Sequence, residues 1–83
     1  MKIKIHPHAQ ERMLERGATK EEIIAAIENG ESFIGKHNRI GFRRNFVFDN
    51  YWNKKYYKNK QLEVISKKEN NDWLVLTVIV KYF

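Results

Sequence analysis

The hydrophobic positions near the start of the chain recur with a helical spacing. Residues 7–16 and 19–29 each place apolar side chains about every third or fourth position, which gives a helix one buried face. Gly17 suits the end of the first helix, because glycine readily adopts the left-handed cap conformation. Thr19, with Glu22 three residues later, is the signature of a capping box at the start of the second helix.

The remaining hydrophobic positions mostly alternate with polar ones, which is the period of a half-buried β-strand. The basic, aromatic stretch before the last two strands either forms a long hairpin loop or extends the neighbouring strands. We expect an α+β fold in one domain, residues 1–83, with two N-terminal helices packed on a single antiparallel sheet of about four strands. The predicted strand segments are residues 1–5, 32–36, 40–48, 61–67 and 73–83.

The composition narrows the class of protein. The 83 residues include no cysteine, which excludes disulfides and a thiolate metal site. No apolar run is long enough for a signal-peptide core or a bilayer span. We therefore expect a soluble, cytoplasmic protein that does not bind membranes.

The charge distribution indicates a polyanionic partner. The formal net charge is +6, and residues 36–60 contain a single acid, Asp49, among many lysines and arginines. A basic segment of this kind is typical of nucleic-acid-binding proteins. The alternative interpretation is a basic protein whose charge only keeps it in solution.

The first helix carries a stripe of side chains suited to phosphate chemistry. His8, Arg12 and Arg16 recur every four residues. An imidazole can act as acid or base near neutral pH, and guanidinium groups match phosphate oxygens. The alternative interpretation is ordinary pairing within the helix, of Arg12 with Glu15 and of His8 with Glu11, which adds only about 0.2–0.5 kcal/mol per pair.

Two further basic groups lie in the strand region. Arg43 and Arg44 are consecutive, so their side chains point to opposite faces of a strand, and one of them approaches the helix-covered face. That residue either clamps a phosphate or reaches water from the end of the strand. A lysine–tyrosine cluster follows, which suits phosphates and stacked bases or only protects the edges of the sheet. This cluster consists of Lys54, Lys55, Tyr56, Tyr57 and Lys58.

The order of these motifs is similar to that of a known family. The segment HAQERMLERG at residues 8–17 precedes a Thr-capped helix, and the strand motifs LEVI and LTVI follow at residues 62–65 and 76–79. This order resembles the bacterial domain-of-unknown-function family 4258. The resemblance implies a fold like that of the RelE, barnase and colicin group, small metal-independent RNases that include many toxins of toxin–antitoxin systems. The basic segment 49–60 departs from the family pattern.

The resemblance also implies roles for individual residues. His8, Arg12 and Arg16 match the suspected site residues of the family, and either Arg43 or Arg44 matches a basic residue of the middle strand. The catalytic residues of our hypothesis are His8, Arg12 and Arg44, with either Arg43 or Arg44 at the scissile phosphate, and Arg16 and Arg43 are assigned to RNA binding. The hypothesis is a metal-independent endoribonuclease, without a cofactor, in which a 2′-hydroxyl attacks the adjacent phosphate. Its expected partners are RNA, ribosome-associated mRNA included, and an acidic antitoxin protein. The alternative is a non-catalytic RNA- or ribosome-binding module.

Overall fold

The structure of the protein is a computed structural model, and it describes residues 2–83. A short strand precedes two helices, and four strands follow them. A 3₁₀ turn, Lys36–Asn38, separates the second strand from the third. The elements are β1 (Ile3–Ile5), α1 (Pro7–Arg16), α2 (Lys20–Asn29), β2 (Glu31–Ile34), β3 (Ile40–Trp52), β4 (Lys55–Glu69) and β5 (Asp72–Tyr82).

The five strands form one mixed sheet, with the order β1-β5-β4-β3-β2. Strand β1 pairs in parallel with β5, and the other neighbours are antiparallel. The expected RelE-like, four-stranded antiparallel sheet is therefore wrong in strand count and in pairing. The prediction was wrong because an alternation of apolar and polar residues indicates a strand but does not determine which strand it pairs with. The first strand joins the edge of the last one, and the two run in the same direction.

The two predicted helices are present, and their ends follow the local signals. Gly17 ends α1 with φ at 76°, in the left-handed region that glycine adopts most easily. The Thr19 hydroxyl accepts the Glu22 backbone N–H at 3.1 Å, and the Glu22 carboxylate accepts the Thr19 backbone N–H at 2.9 Å. Within residues 2–83, neither helix is long and apolar enough to cross a membrane.

Both helices pack on the same face of the sheet, α1 over β5 and α2 over β3 and β4. Along β4, the alternating burial of residues 60–66 shows that Lys60, Leu62, Val64 and Ser66 point into this face. Small side chains on the helices allow close approach to the branched residues of the central strands. The buried hydrophobic residues are Ala9, Ala18, Ile23, Ala26, Phe42, Leu62, Val64, Val75 and Val78.

Strands β3 and β4 continue as a long hairpin, so the basic segment extends the strands and is not a loop. Asn53 and Lys54 form its two-residue turn with φ at 49° and 68°, as a type I′ turn requires. A bulge between Val47 and Asn50 interrupts the pairing, and a bulge of this kind bends and twists a hairpin. The molecule measures 41 × 24 × 23 Å, which reflects the length of these two strands.

Candidate nucleic-acid interface

Of the three side chains in the predicted stripe on α1, two make hydrogen bonds within the protein and one makes none. His8 is exposed, and its imidazole makes no hydrogen bond or ion pair within residues 2–83. The Arg12 guanidinium binds the Glu15 carboxylate at 2.9 and 3.1 Å, as the electrostatic alternative predicts. Arg16 donates to the Val78 carbonyl on β5 at 2.7 Å, so it fastens the end of α1 to the sheet.

Arg43 points to the face of the sheet that the helices do not cover. Its cross-strand neighbour is Glu63, whose carboxylate accepts a hydrogen bond from the Arg43 Nε at 2.7 Å. A second carboxylate, that of Glu31, lies 4.0 Å away, and the guanidinium rests 4.7 Å from the centre of the Phe33 ring. Two acids therefore compensate the charge of Arg43, which weakens its attraction for phosphate.

Arg44 points to the helix-covered face, because its cross-strand neighbour is the buried Leu62. One guanidinium nitrogen approaches the Ala25 carbonyl of α2 at 3.4 Å, and the group lies 5.2 Å from the centre of the Phe46 ring. No carboxylate within residues 2–83 lies within ion-pairing distance of it. Arg44 thus keeps an uncompensated positive charge that a phosphate can bind.

The three predicted catalytic residues lie on two different elements of the fold. His8 and Arg12 lie on α1, which packs over β5, whereas Arg44 lies on β3. Strand β4 separates these two strands, a spacing of about 10 Å across the sheet.

The tip of the β3–β4 hairpin gathers basic and aromatic side chains. Lys54, Lys55 and Lys58 are exposed, and the one acid of residues 49–60, Asp49, accepts a hydrogen bond from the Tyr56 hydroxyl. The rings of Tyr51 and Tyr56 are 66% and 46% exposed, and they meet edge to face with centres 5.7 Å apart. Tyr51 was not predicted from the sequence, although a two-residue turn at Asn53 and Lys54 places it opposite the predicted Tyr56.

A cluster of aromatic rings fixes the hairpin to the body of the molecule. The Trp52 ring stacks on Tyr82 of β5 with centres 5.0 Å apart and planes 15° apart. Phe48 and Tyr57 also contact Tyr82, at 5.1 and 5.6 Å between ring centres. The predicted RNA-binding residue Tyr57 therefore packs partly against the protein, while Tyr56 faces solvent.

Below this aromatic cluster lies a buried ion pair that was not predicted from the sequence. Lys60 is only 3% exposed, and its ammonium donates to the Glu22 carboxylate at 2.8 Å and to the Gly17 carbonyl. The Tyr82 hydroxyl donates to the Arg16 carbonyl at 2.7 Å. Burial, followed by the nearby Glu22 charge, raises the pKa of Tyr82 from 10.0 to about 12. The burial of Lys60 could have been inferred from the sequence, because it stands two residues before Leu62 and four before Val64 and so shares their side of the strand.

The histidines and acids do not form a candidate metal site. Within residues 2–83, no group of three or more such side chains is placed to hold a metal ion. The basic side chains described above lie on the aromatic hairpin, with the uncompensated Arg44 nearer the body of the molecule.

Comparison with known proteins gives one match. The family model described as Domain of unknown function (DUF4258) matches residues 5–80, nearly the whole chain. This match confirms the resemblance seen in the motifs, and it does not confirm the likeness to RelE. No curated protein and no solved structure matches the chain.

Proposed function

The chain belongs to the DUF4258 family, and on the chemistry of its own surface we propose that it is an RNA-binding domain. The β3–β4 hairpin grips a single strand of RNA. The observation that carries this proposal is the hairpin tip, where three exposed lysines accompany two exposed tyrosine rings. The cluster includes one acid, Asp49, whose carboxylate accepts a hydrogen bond from the Tyr56 hydroxyl, so the lysines remain in excess.

The proposed contacts follow from the side-chain chemistry of the tip. Lysine ammonium groups attract phosphates without selecting a sequence, and their contribution falls as salt rises. Tyr51 and Tyr56 expose ring surface on which bases can stack, an interaction worth about 1–3 kcal/mol per base. Such stacking requires unpaired bases, and RNA presents these in loops, bulges and ends. An acidic partner protein, the antitoxin expected from the sequence, would compete for the same surface.

Removing the tip charges should weaken RNA binding. We expect a Lys54→Ala, Lys55→Ala, Lys58→Ala variant to bind a labelled 12-nucleotide RNA at least tenfold more weakly. The slope of log affinity against log salt should become shallower by about 2, because each lost phosphate contact removes about 0.7. Fluorescence anisotropy at several salt concentrations measures both quantities.

The matched control variant also loses three lysines, but from outside the hairpin. Lys2, Lys20 and Lys36 are exposed and lie outside the hairpin. Their triple alanine variant has the same net charge as the tip variant, so a general electrostatic effect would weaken both equally. Equal losses would contradict a binding site at the hairpin tip.

RNA cleavage is the second candidate function, and one observation favours it. The His8 imidazole is exposed and free, with Arg12 one turn further along α1. An imidazole in this position could take the proton of an attacking 2′-hydroxyl. Cleavage also needs cations at the same phosphate. Arg44 lies on β3, two strands away from β5, the strand on which α1 packs. The geometry therefore favours binding over cleavage.

We expect purified protein to leave RNA intact in EDTA. The wild-type protein and a His8→Ala variant should give the same gel pattern with total cellular RNA, and the same affinity for the labelled oligonucleotide. Cleavage by the wild-type protein that the variant lacks would contradict this expectation. The result would then assign catalysis to the α1 stripe.

A further inference from the structure

The outer edge of β1 is unpaired. Strand β1 stands at one end of the sheet, and no other strand within residues 2–83 pairs with its outer side. The Lys2 carbonyl and the His6 N–H each make a 2.9 Å hydrogen bond with β5. Because the backbone groups of successive strand residues point to opposite sides, those of Ile3 and Ile5 point away from the sheet. In the described part of the chain only the Ile5 carbonyl has a partner there, the Gln10 amide at 3.3 Å.

An apolar groove lies beside this edge. It has a volume of about 470 Å³ and is open to solvent. The Leu14 side chain on α1 is 86% exposed, so a large apolar group remains uncovered at the groove. An unpaired strand edge next to exposed apolar surface is suited to binding an extended peptide. Five apolar residues form most of the lining, namely Ile3, Ile5, Met13, Leu14 and Ala18.

The charges at this edge indicate which kind of strand it accepts. The side chains of the two β1 isoleucines line the groove, so alternation places those of Lys2 and Lys4 on the other side of the strand. Lys4 has one long ion pair, to Asp72 at 3.8 Å, and the Lys2 ammonium makes none within residues 2–83. A matching strand therefore alternates apolar side chains, which enter the groove, with acidic ones, which lie opposite the lysines.

A second copy of this chain does not match the edge. In an antiparallel pair of two β1 strands whose isoleucines lie on the same side, each Lys4 would stand opposite a lysine or a histidine of the other copy. Like charges directly opposite each other destabilise a strand pair, and both copies carry a formal net charge of +6. The charge pattern thus favours a different chain, with acids at these positions.

We propose that the β1 edge is a docking site for an extended segment of a partner protein in which apolar and acidic residues alternate. The segment adds a strand to the sheet, and its backbone bonds to the outward N–H and C=O groups of Ile3 and to the Ile5 N–H. Its apolar side chains pack against Leu14 in the groove. Strands β5 and β4 separate this edge from β3, a spacing of about 14 Å, so docking does not depend on RNA binding.

A synthetic peptide of alternating glutamate and valine residues tests the site. We expect the protein to bind it about tenfold or more tightly than a peptide of alternating glutamate and serine, because serine has the same charge pattern but leaves the groove unfilled. Fluorescence anisotropy with labelled peptides measures both affinities, at about 0.15 M salt to screen distant charges. Equal affinities, or binding of neither peptide, would overturn the docking site.

The basic hairpin is the main competing site for an acidic peptide. The Lys54→Ala, Lys55→Ala, Lys58→Ala variant should bind the glutamate–valine peptide within about twofold of wild type, because these lysines are remote from β1. Loss of peptide binding in this variant would place the peptide at the hairpin and overturn the proposal.

A matched pair of variants tests the groove itself. Leu14→Glu places a charge in the groove and should weaken binding of the glutamate–valine peptide about tenfold or more, while glutamate still favours the helix. Ile34 is 80% exposed on β2, at the opposite end of the sheet, so Ile34→Glu makes the same change of charge elsewhere. Its affinity should stay within about twofold of wild type. Equal losses in the two variants would overturn the groove as the site.

Amide hydrogen exchange measured by NMR needs no variant. The Ile3 and Ile5 amides should exchange rapidly in the free protein and at least about tenfold more slowly with saturating glutamate–valine peptide, as hydrogen-bonded amides do. No slowing, or slowing confined to the hairpin tip, would overturn the proposal. Slowing that grows with protein concentration in the absence of peptide would identify a second copy as the occupant and overturn it as well.

Discussion

Replacing Lys60 with methionine should lower the free energy of unfolding by about 3–5 kcal/mol, the usual cost of removing one partner from a buried ion pair. The Glu22 carboxylate would lose its cation, and the Gly17 carbonyl would lose a hydrogen-bond donor. Methionine fills a similar volume, so the loss reports on charge and hydrogen bonding more than on packing. Urea unfolding followed by tryptophan fluorescence measures it.

Two variants separate the ion pair from other effects of the substitution. Lys58→Met changes an exposed lysine of the same strand, and its stability should stay within about 0.5 kcal/mol of wild type. Adding Glu22→Gln to Lys60→Met removes the unpaired charge, and glutamine can still serve the capping box. The double variant should recover most of the loss. Equal instability of the single and double variants would show that the carboxylate is not the source.

The buried Lys60–Glu22 pair also holds the hairpin in place for the proposed RNA binding. Lys60 is a residue of the long hairpin, whereas Glu22 and Gly17 belong to the helical part, so their bonds fix the base of the hairpin to α2 and the end of α1. Above this pair, Trp52 stacks on Tyr82. The tip lysines therefore extend from a fixed base, which reduces the entropy lost when RNA binds.

Local signals made the helices predictable, and long-range pairing limited the prediction of the sheet. Gly17 and the Thr19–Glu22 capping box act within a few residues, so the sequence indicates where α1 ends and α2 begins. The alternation in residues 3–5 indicates a strand equally well. Its parallel pairing with β5 depends on contacts with residues about 70 positions away. An alternation of apolar and polar residues carries no information about such distant partners.

The same distinction explains the candidate site. The exposed lysines and Tyr56 were predicted because composition alone marks the basic segment. The opposite orientations of Arg43 and Arg44 were also predictable, but the β3–β4 register decides which of them faces the helices. That register brings Asn45 beside Gln61, and the sequence shows no pattern from which their pairing could be inferred.

Replacing Gly17 with alanine should also destabilise the protein strongly, by about 2–5 kcal/mol. The left-handed conformation at φ 76° costs an alanine about 1–2 kcal/mol. A methyl group there would lie 2.5 Å from the Tyr82 hydroxyl and 2.7 Å from the Trp52 ring. Moving two packed rings adds about 1–3 kcal/mol, as overpacking does in protein cores. Urea unfolding measures the sum.

Gly35→Ala is the matched control, because Gly35 does not have a positive φ and an added methyl group would lie 3.6 Å from its nearest neighbour, the Arg39 carbonyl. Its stability should stay within about 0.5 kcal/mol of wild type. Gly17→Ala should further weaken RNA binding, since displacement of Trp52 loosens the base of the hairpin. A Gly17→Ala protein as stable as the control would contradict the close packing of α1 against the aromatic cluster. Reduced stability with unchanged RNA affinity would show that the tip binds RNA independently of this anchor.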